Sequence, residues 1–180
     1  SLPIRPDGTL GDAHEVAMES GIGFNAPSAL VTAELNGKTY AIMGASVSSS
    51  LTVFEVRPSG ELVPVDHIVD SLTSRFAQVS VLRSFAVGEQ MHVLAGGGDG
   101  GLSLFTLLPG GQLHYRTTVS DTAQMTLADL SALAVWVGPE GIVQILAGSE
   151  SEAGITQLML DPGPGGVTQV AAPGQPRITG

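Results

Sequence analysis

A short turn sequence returns along this chain about every 52 residues. Arg5-Pro6-Asp7-Gly8-Thr9-Leu10 comes back as Arg57-Pro58-Ser59-Gly60-Glu61-Leu62, then as Leu108-Pro109-Gly110-Gly111-Gln112-Leu113, and loosely as Asp161-Pro162-Gly163-Pro164-Gly165-Gly166-Val167. Two further markers keep the same beat. Gly44, Gly96 and Gly148 each follow a short apolar run, and Ser28-Ala29-Leu30 returns as Ser80-Val81-Leu82 and Ser131-Ala132-Leu133. Three markers in one order at one period define a repeat architecture, in which each unit buries its apolar face against its neighbour.

Each repeat divides into four short apolar or alternating runs. In the first they are Ser28–Leu35 (strand A), Lys38–Ala45 (B), Ser50–Arg57 (C) and Glu61–Ile68 (D). The run Leu51–Val56 alternates and is rich in β-formers, as a half-buried strand should be. Asn36-Gly37 separates A from B, and both residue types tolerate positive φ in a tight hairpin. Pro58-Ser59-Gly60 separates C from D, with proline fixing one backbone angle and glycine supplying another. The second repeat gives Val79–Val87, Gln90–Gly96, Gly101–Leu108 and Gln112–Val119. The third gives Leu130–Val137, Ile142–Gly148, Gly154–Asp161 and Val167–Ala171. Met125–Ala134 also holds good helix formers, so a short helix there competes with the start of a strand.

Strands of this length at this spacing, repeating near 50 residues, predict an all-β β-propeller. About three four-stranded antiparallel blades are expected, near 28–68, 79–119 and 130–171. They would form one partial propeller domain over 1–172, with 173–180 as a C-terminal tail. The chain opens at a C–D turn, so residues 9–18 are expected as an orphan outer strand of a blade whose other strands lie elsewhere. Closed propellers have four to eight blades. Three blades would leave open edges, and self-association or a protein partner is expected there. A β-prism or a sandwich of three units is the alternative architecture.

Composition narrows the partners. The chain carries 17 acidic residues against 7 basic ones, for a net charge of −10. Nucleic acid and anionic membranes need cationic contacts and are excluded on this balance. The longest apolar run, Ala132–Val137, is far too short to span a bilayer. With no cysteine there is no disulfide or thiolate metal site, which suits a protein exported unfolded.

Propeller geometry places B–C loops and D–A connections on one face, and these are the longer and more acidic ones. Asp99 lies in the glycine-rich loop Gly96–Gly101, and Glu150 and Glu152 lie in the next B–C loop. They are the candidate metal ligands. Glycines expose backbone carbonyls, and a carboxylate adds the hard oxygen that Ca2+ prefers. Asp66, Asp70, Asp121 and Asp129, read as belonging to the D–A connections, are candidate partners. The other reading makes these loops plain solvated hairpins. The glycine loop is no phosphate cradle, because no Gly-Lys-Ser/Thr follows it. His14, His67, His92 and His114 show no metal-binding spacing, and Asp66-His67 reads as ordinary strand-end polarity. Ser46–Ser50 reads as a flexible loop and Trp136 as core. No Gly-x-Ser-x-Gly elbow occurs, so no catalytic residue is assigned.

The Pro-x-Gly-x-Leu turns and the Ile42-Met43-Gly44, Leu94-Ala95-Gly96 and Leu146-Ala147-Gly148 steps resemble lactonase-like bacterial propeller repeats. They also resemble the propeller segment upstream of calcium-binding glycine-rich repeats in exported bacterial proteins. The resemblance implies an extracellular place. It leads to three expectations: a non-catalytic binding module, with calcium associated; a lactonase-like metal-dependent hydrolase; and a structural segment that completes a propeller with another chain.

Overall fold

The computed structural model describes residues 4–12, 22–161 and 168–171. Twelve strands fall into three four-stranded sheets. The first holds β1 (Pro27–Leu35), β2 (Lys38–Ala45), β3 (Ser50–Val56) and β4 (Leu62–Val69). The second holds β5 (Val81–Val87), β6 (Gln90–Gly96), β7 (Gly101–Leu107) and β8 (Leu113–Ser120). The third holds β9 (Leu130–Val137), β10 (Val143–Ser149), β11 (Ile155–Asp161) and β12 (Thr168–Ala171). Each sheet runs in chain order with every pair antiparallel, as hairpin-connected propeller blades must. The first strands line up side by side, β1 against β5 and β5 against β9. The competing helix does not form. Residues 122–125 make a turn, and β9 takes the sequence from Leu130.

The recurring turn has one geometry in four places. In residues 57–61 the Gly60 amide donates to Arg57 O at 2.8 Å and the Arg57 amide to Glu61 O at 2.9 Å. Residues 5–9 and 108–112 repeat both bonds, and so do residues 138–142, an A–B turn that the repeat reading missed. Gly60 sits at φ 86°, the left-handed residue that closes a three-residue hairpin. At residues 4–10 this turn carries an Ile4–Leu10 antiparallel bridge. Of the orphan strand expected over residues 9–18, residues 11–12 form no strand and residues 13–18, with His14, lie outside the described residues, as does most of the fourth turn. Ser46–Ser49, expected as flexible, is a tight turn. Ser46 N donates to Ala26 O at 2.9 Å, and Ser49 Oγ accepts the Gln78 amide at 3.0 Å.

Two cores lie between the blades. One joins Tyr40, Ile42, Leu51 and Val53 of the first sheet to Phe76, Leu82, Phe105 and Leu107 of the second segment. The other joins Leu94, Leu102 and Leu104 to Leu130, Leu133, Val143 and Ile145. β7 is buried along its whole length because it is covered on both sides. This is why its sequence reads as an apolar run instead of an alternation.

The glycine marker is a packing device. A Cβ at Gly44 would meet Val79 of the next blade at 2.9 Å, and one at Gly96 would meet Leu130 at 2.6 Å. A side chain there would hold the blades apart. At Gly148 the nearest atom is Ala132 Cβ of its own sheet, at an ordinary 3.5 Å. The third blade therefore keeps the notch without a blade to fill it among the described residues. Trp136, expected in the core, is exposed for the same reason, since it lies on that outer side of β9.

Candidate functional site

The B–C turns and D–A connections do share one end of the molecule. Asp70 N donates to Ser49 O at 2.8 Å, Asp121 N to Gly100 O at 3.0 Å, and Glu150 N to Asp129 O at 2.9 Å. The glycine loop sits among them as a fixed piece. Gly98 N donates to Ala77 O at 2.8 Å, and Gly97 O accepts the Leu130 amide at 3.0 Å. A Cβ at Gly97 would stand 2.7 Å from Gln78 O, so the loop needs glycine to let two backbones touch.

Most carboxylates at this end hold the backbone. Asp70 Oδ1 accepts the Ser74 hydroxyl at 2.7 Å and the Phe76 amide at 3.1 Å. Asp121 Oδ1 accepts the Leu127 amide at 3.1 Å, which is the same bond one repeat later. Glu152 accepts the Ala128 amide at 3.1 Å. Glu150 is exposed. Asp66 lies within β4, not in a connection. Its Oδ2 crosses to the Leu113 amide of the second blade at 2.7 Å, while Oδ1 accepts the His67 amide at 3.0 Å. His67 Nδ1 bonds Thr52 Oγ1 at 2.9 Å. Asp66 is thus a blade-to-blade tie, which sequence alternation alone could not show, whereas His67 bonds within its own sheet.

Asp99 differs from the rest. Its Oδ1 is buried without a hydrogen-bond partner among the described residues, and Oδ2 stands 3.9 Å from the Arg75 guanidinium. Burial pushes its carboxyl up from the usual aspartate range. The Asp70 charge pushes the same way, and Arg75 opposes both. Among the described residues no three histidine, aspartate or glutamate side chains gather in a way that could hold a metal ion.

A raised acid pKa favours the protonated form in the fold. Its stabilising share is full below the unfolded value and is lost as pH rises through the folded value. At neutral pH the charged Asp99 therefore weakens the fold. Asp99→Asn is expected to raise Tm at pH 7 and to show little difference from the parent near pH 3. Thermal melts across that range check this, and an unchanged or lower Tm at pH 7 would contradict it.

Three sheets in chain order, with their first strands side by side, define the chain as part of a β-propeller. Solved structures agree on the fold. An exo-β-1,3-galactanase of Phanerochaete chrysosporium superposes with a TM-score of 0.57 at 11% identity, over 81% of this chain and 38% of that one. A periplasmic gluconolactonase of Pseudomonas aeruginosa gives 0.56 at 18% identity, over 94% of this chain and 61% of that one. A protein from Lactobacillus plantarum gives 0.56 at 12%, over 94% and 62%. The chain thus spans about two fifths of the galactanase and about three fifths of the other two. No family model and no curated protein matches it. Among the described residues no helix is long and apolar enough to cross a membrane.

Proposed function

We propose that this chain is a non-catalytic interaction module, an arc of a β-propeller whose working surface is the outer face of its third blade. The observation that carries this reading is a break in a repeated burial pattern. Ile42 and Leu94 are 0% and 3% exposed, whereas Leu146 at the same position is 46% exposed. Leu51 and Leu102 are 0% and 1% exposed, and their counterpart Ile155 is 68% exposed. Apolar side chains left open where the repeat buries them mark a surface that a further blade or a partner covers. The carboxylates at the loop end support the same reading, since Asp70, Asp121 and Glu152 each hold backbone amides. An extracellular place stays part of the proposal, resting on the family resemblance and a cysteine-free chain.

The gluconolactonase-like fold makes a metal-dependent hydrolase the reading to test against. Two neighbouring carboxylates, Asp99 and Asp70, fall short of the six to eight oxygens that Ca2+ takes, and Arg75 already supplies the positive charge beside them. The expected result is no hydrolysis of gluconolactone or β-1,3-galactan above buffer, with calcium, magnesium, zinc or chelator. Tm should be the same in calcium and in chelator. Turnover lost in Asp99→Ala would establish the hydrolase. A calcium-specific rise in Tm, lost when Asp99, Glu150 and Glu152 are all replaced by alanine, would establish a calcium site.

A further inference from the structure

We propose that His92 is an acid-sensitive latch in the joint between the second and third blades. The joint stays closed while the imidazole is neutral and loosens once the ring takes a proton. The latch sits inside the chain, where β6 and β7 of the second blade face the third, so its working does not depend on which blades flank these three.

His92 lies on β6 and faces the core that these two blades share. Leu94 and Gly96 follow it on that face, while Val93 and Ala95 face the first blade. Phe85 of β5 stands in register beside it and stacks on its ring, with centroids 5.4 Å apart. Thr106 of β7 stands on the other side, and its hydroxyl bonds the ring Nδ1 at 3.2 Å. The histidine is 2% exposed, and its Nε2 has no hydrogen-bond partner among the described residues.

Such a seat suits a neutral ring and not a cation. Protonation puts an N–H on both ring nitrogens and a charge on the ring. Thr106 can accept one N–H, and the other would be buried without an acceptor among the described residues. The third blade brings Leu133, Val143, Ile145, Leu158 and Leu160 to this core, all uncharged. On β8, His114 stands in register with Thr106 and Arg116 lies two residues on, and both can add only positive charge. Glu89 and Glu140, in the turns at this end of the blades, are exposed, and the charge that acts on the ring is that of Arg116. Burial first and Arg116 second push the His92 pKa below the ordinary histidine range. The Phe105 carbonyl, which favours the cation, does not offset them.

The repeat supplies an internal control. Tyr40 fills the same position one period earlier, in the joint between the first and second blades, and is 1% exposed. A tyrosine gains no charge in weak acid, so the first joint should hold where the second loosens. The direction follows from linkage. Above a pH of about 6.5 the ring is neutral whether the joint is closed or open. As the pH falls below about 6.5, the opened ring takes a proton that the closed one refuses, and the closed joint loses stability. Opening becomes up to about tenfold more frequent for each unit of pH, until the closed ring titrates as well.

The test is amide hydrogen exchange on the full chain, read strand by strand at about pH 7.5 and about pH 5.5, with each rate referred to the intrinsic rate at that pH. Protection of β9 and β10 should fall by about three- to tenfold in acid, and that of β1 and β2 by about twofold or less. In His92→Gln and His92→Leu the extra fall at β9 and β10 should vanish. Glutamine keeps a partner for Thr106 and leucine removes the polar atoms, so the two variants load the fold differently while neither takes up a proton. Asp99 is present in parent and variants alike and drops out of the comparison. The His92 ring resonances, followed against pH in the parent alone, give a second reading, with a midpoint expected below about 6.5. A fall in protection shared equally by the two joints would overturn the latch. So would a fall that persists in either variant, or a midpoint at or above about 6.5. None of these results depends on hydrolytic turnover, which alone would overturn the non-catalytic reading.

Discussion

Leu94→Ala should lower stability by about 2–5 kcal/mol, whereas Leu146→Ala, one repeat later, should cost about 1 kcal/mol or less in the monomer. The residue type and strand position are the same, and only the neighbouring blade differs. Leu94 is packed between the second and third sheets, so its removal leaves a cavity that rigid strands on both sides cannot close. Leu146 is half open to water, and its truncation leaves no enclosed void. The glycines invert the test. Gly96→Ala would drive a methyl group into Leu130 and is expected to cost about 1–3 kcal/mol. Gly148→Ala meets nothing closer than 3.5 Å and should be neutral, or should stabilise by about 0.5 kcal/mol through the unfolded chain. For a chain of this size each kcal/mol moves Tm by about 2–4 °C, so the pairs separate clearly in a melting curve. Equal losses at Leu94 and Leu146 would mean that the third face is covered within the chain.

The blades were legible because each depends on local chemistry. Turn glycines need positive φ, paired strands need β-formers, and a period repeats when one unit packs on the next. Strand bounds from the repeat agree with the sheets to within a residue or two. Gly44, Gly96 and Gly148 were visible as a marker, but the reason for them was not, since their contacts come from the neighbouring blade. Trp136 failed for the same cause. An apolar strand looks like core until the position of the next blade is known. The loop end was legible only in outline. Its acidic residues were visible as charges, but Asp70 and Asp121 act through backbone amides six residues on, and Asp66 through an amide 47 residues away. No residue-type pattern carries that information. What could have hinted at it is the spacing itself, since Asp70 precedes Phe76 as Asp121 precedes Leu127.

That spacing leads to the last expectation, a loss of about 3–5 kcal/mol in Phe76→Ala and about 1–3 kcal/mol in Asp70→Ala, with the double variant costing less than the sum. Phe76 is almost wholly buried and meets the Phe105 ring edge-on at 5.7 Å, so it anchors the connection onto the second blade. Asp70 fixes how that anchor arrives. Its carboxylate takes the Phe76 amide and the Ser74 hydroxyl, and without it both donors lose their acceptor inside the fold. Once Phe76 is gone the segment has little left to position, and losing Asp70 should then matter less. Asp70→Asn keeps an acceptor and should lie between parent and Asp70→Ala. The same variants reach the candidate site, because the Asp70 charge helps to hold the Asp99 carboxyl high. In Asp70→Asn the Asp99 titration should move down toward the ordinary aspartate range, read by carboxyl chemical shifts against pH. A double variant as costly as the sum would show that Asp70 and Phe76 act apart. An Asp99 titration that does not move would leave burial as the only cause of its shift.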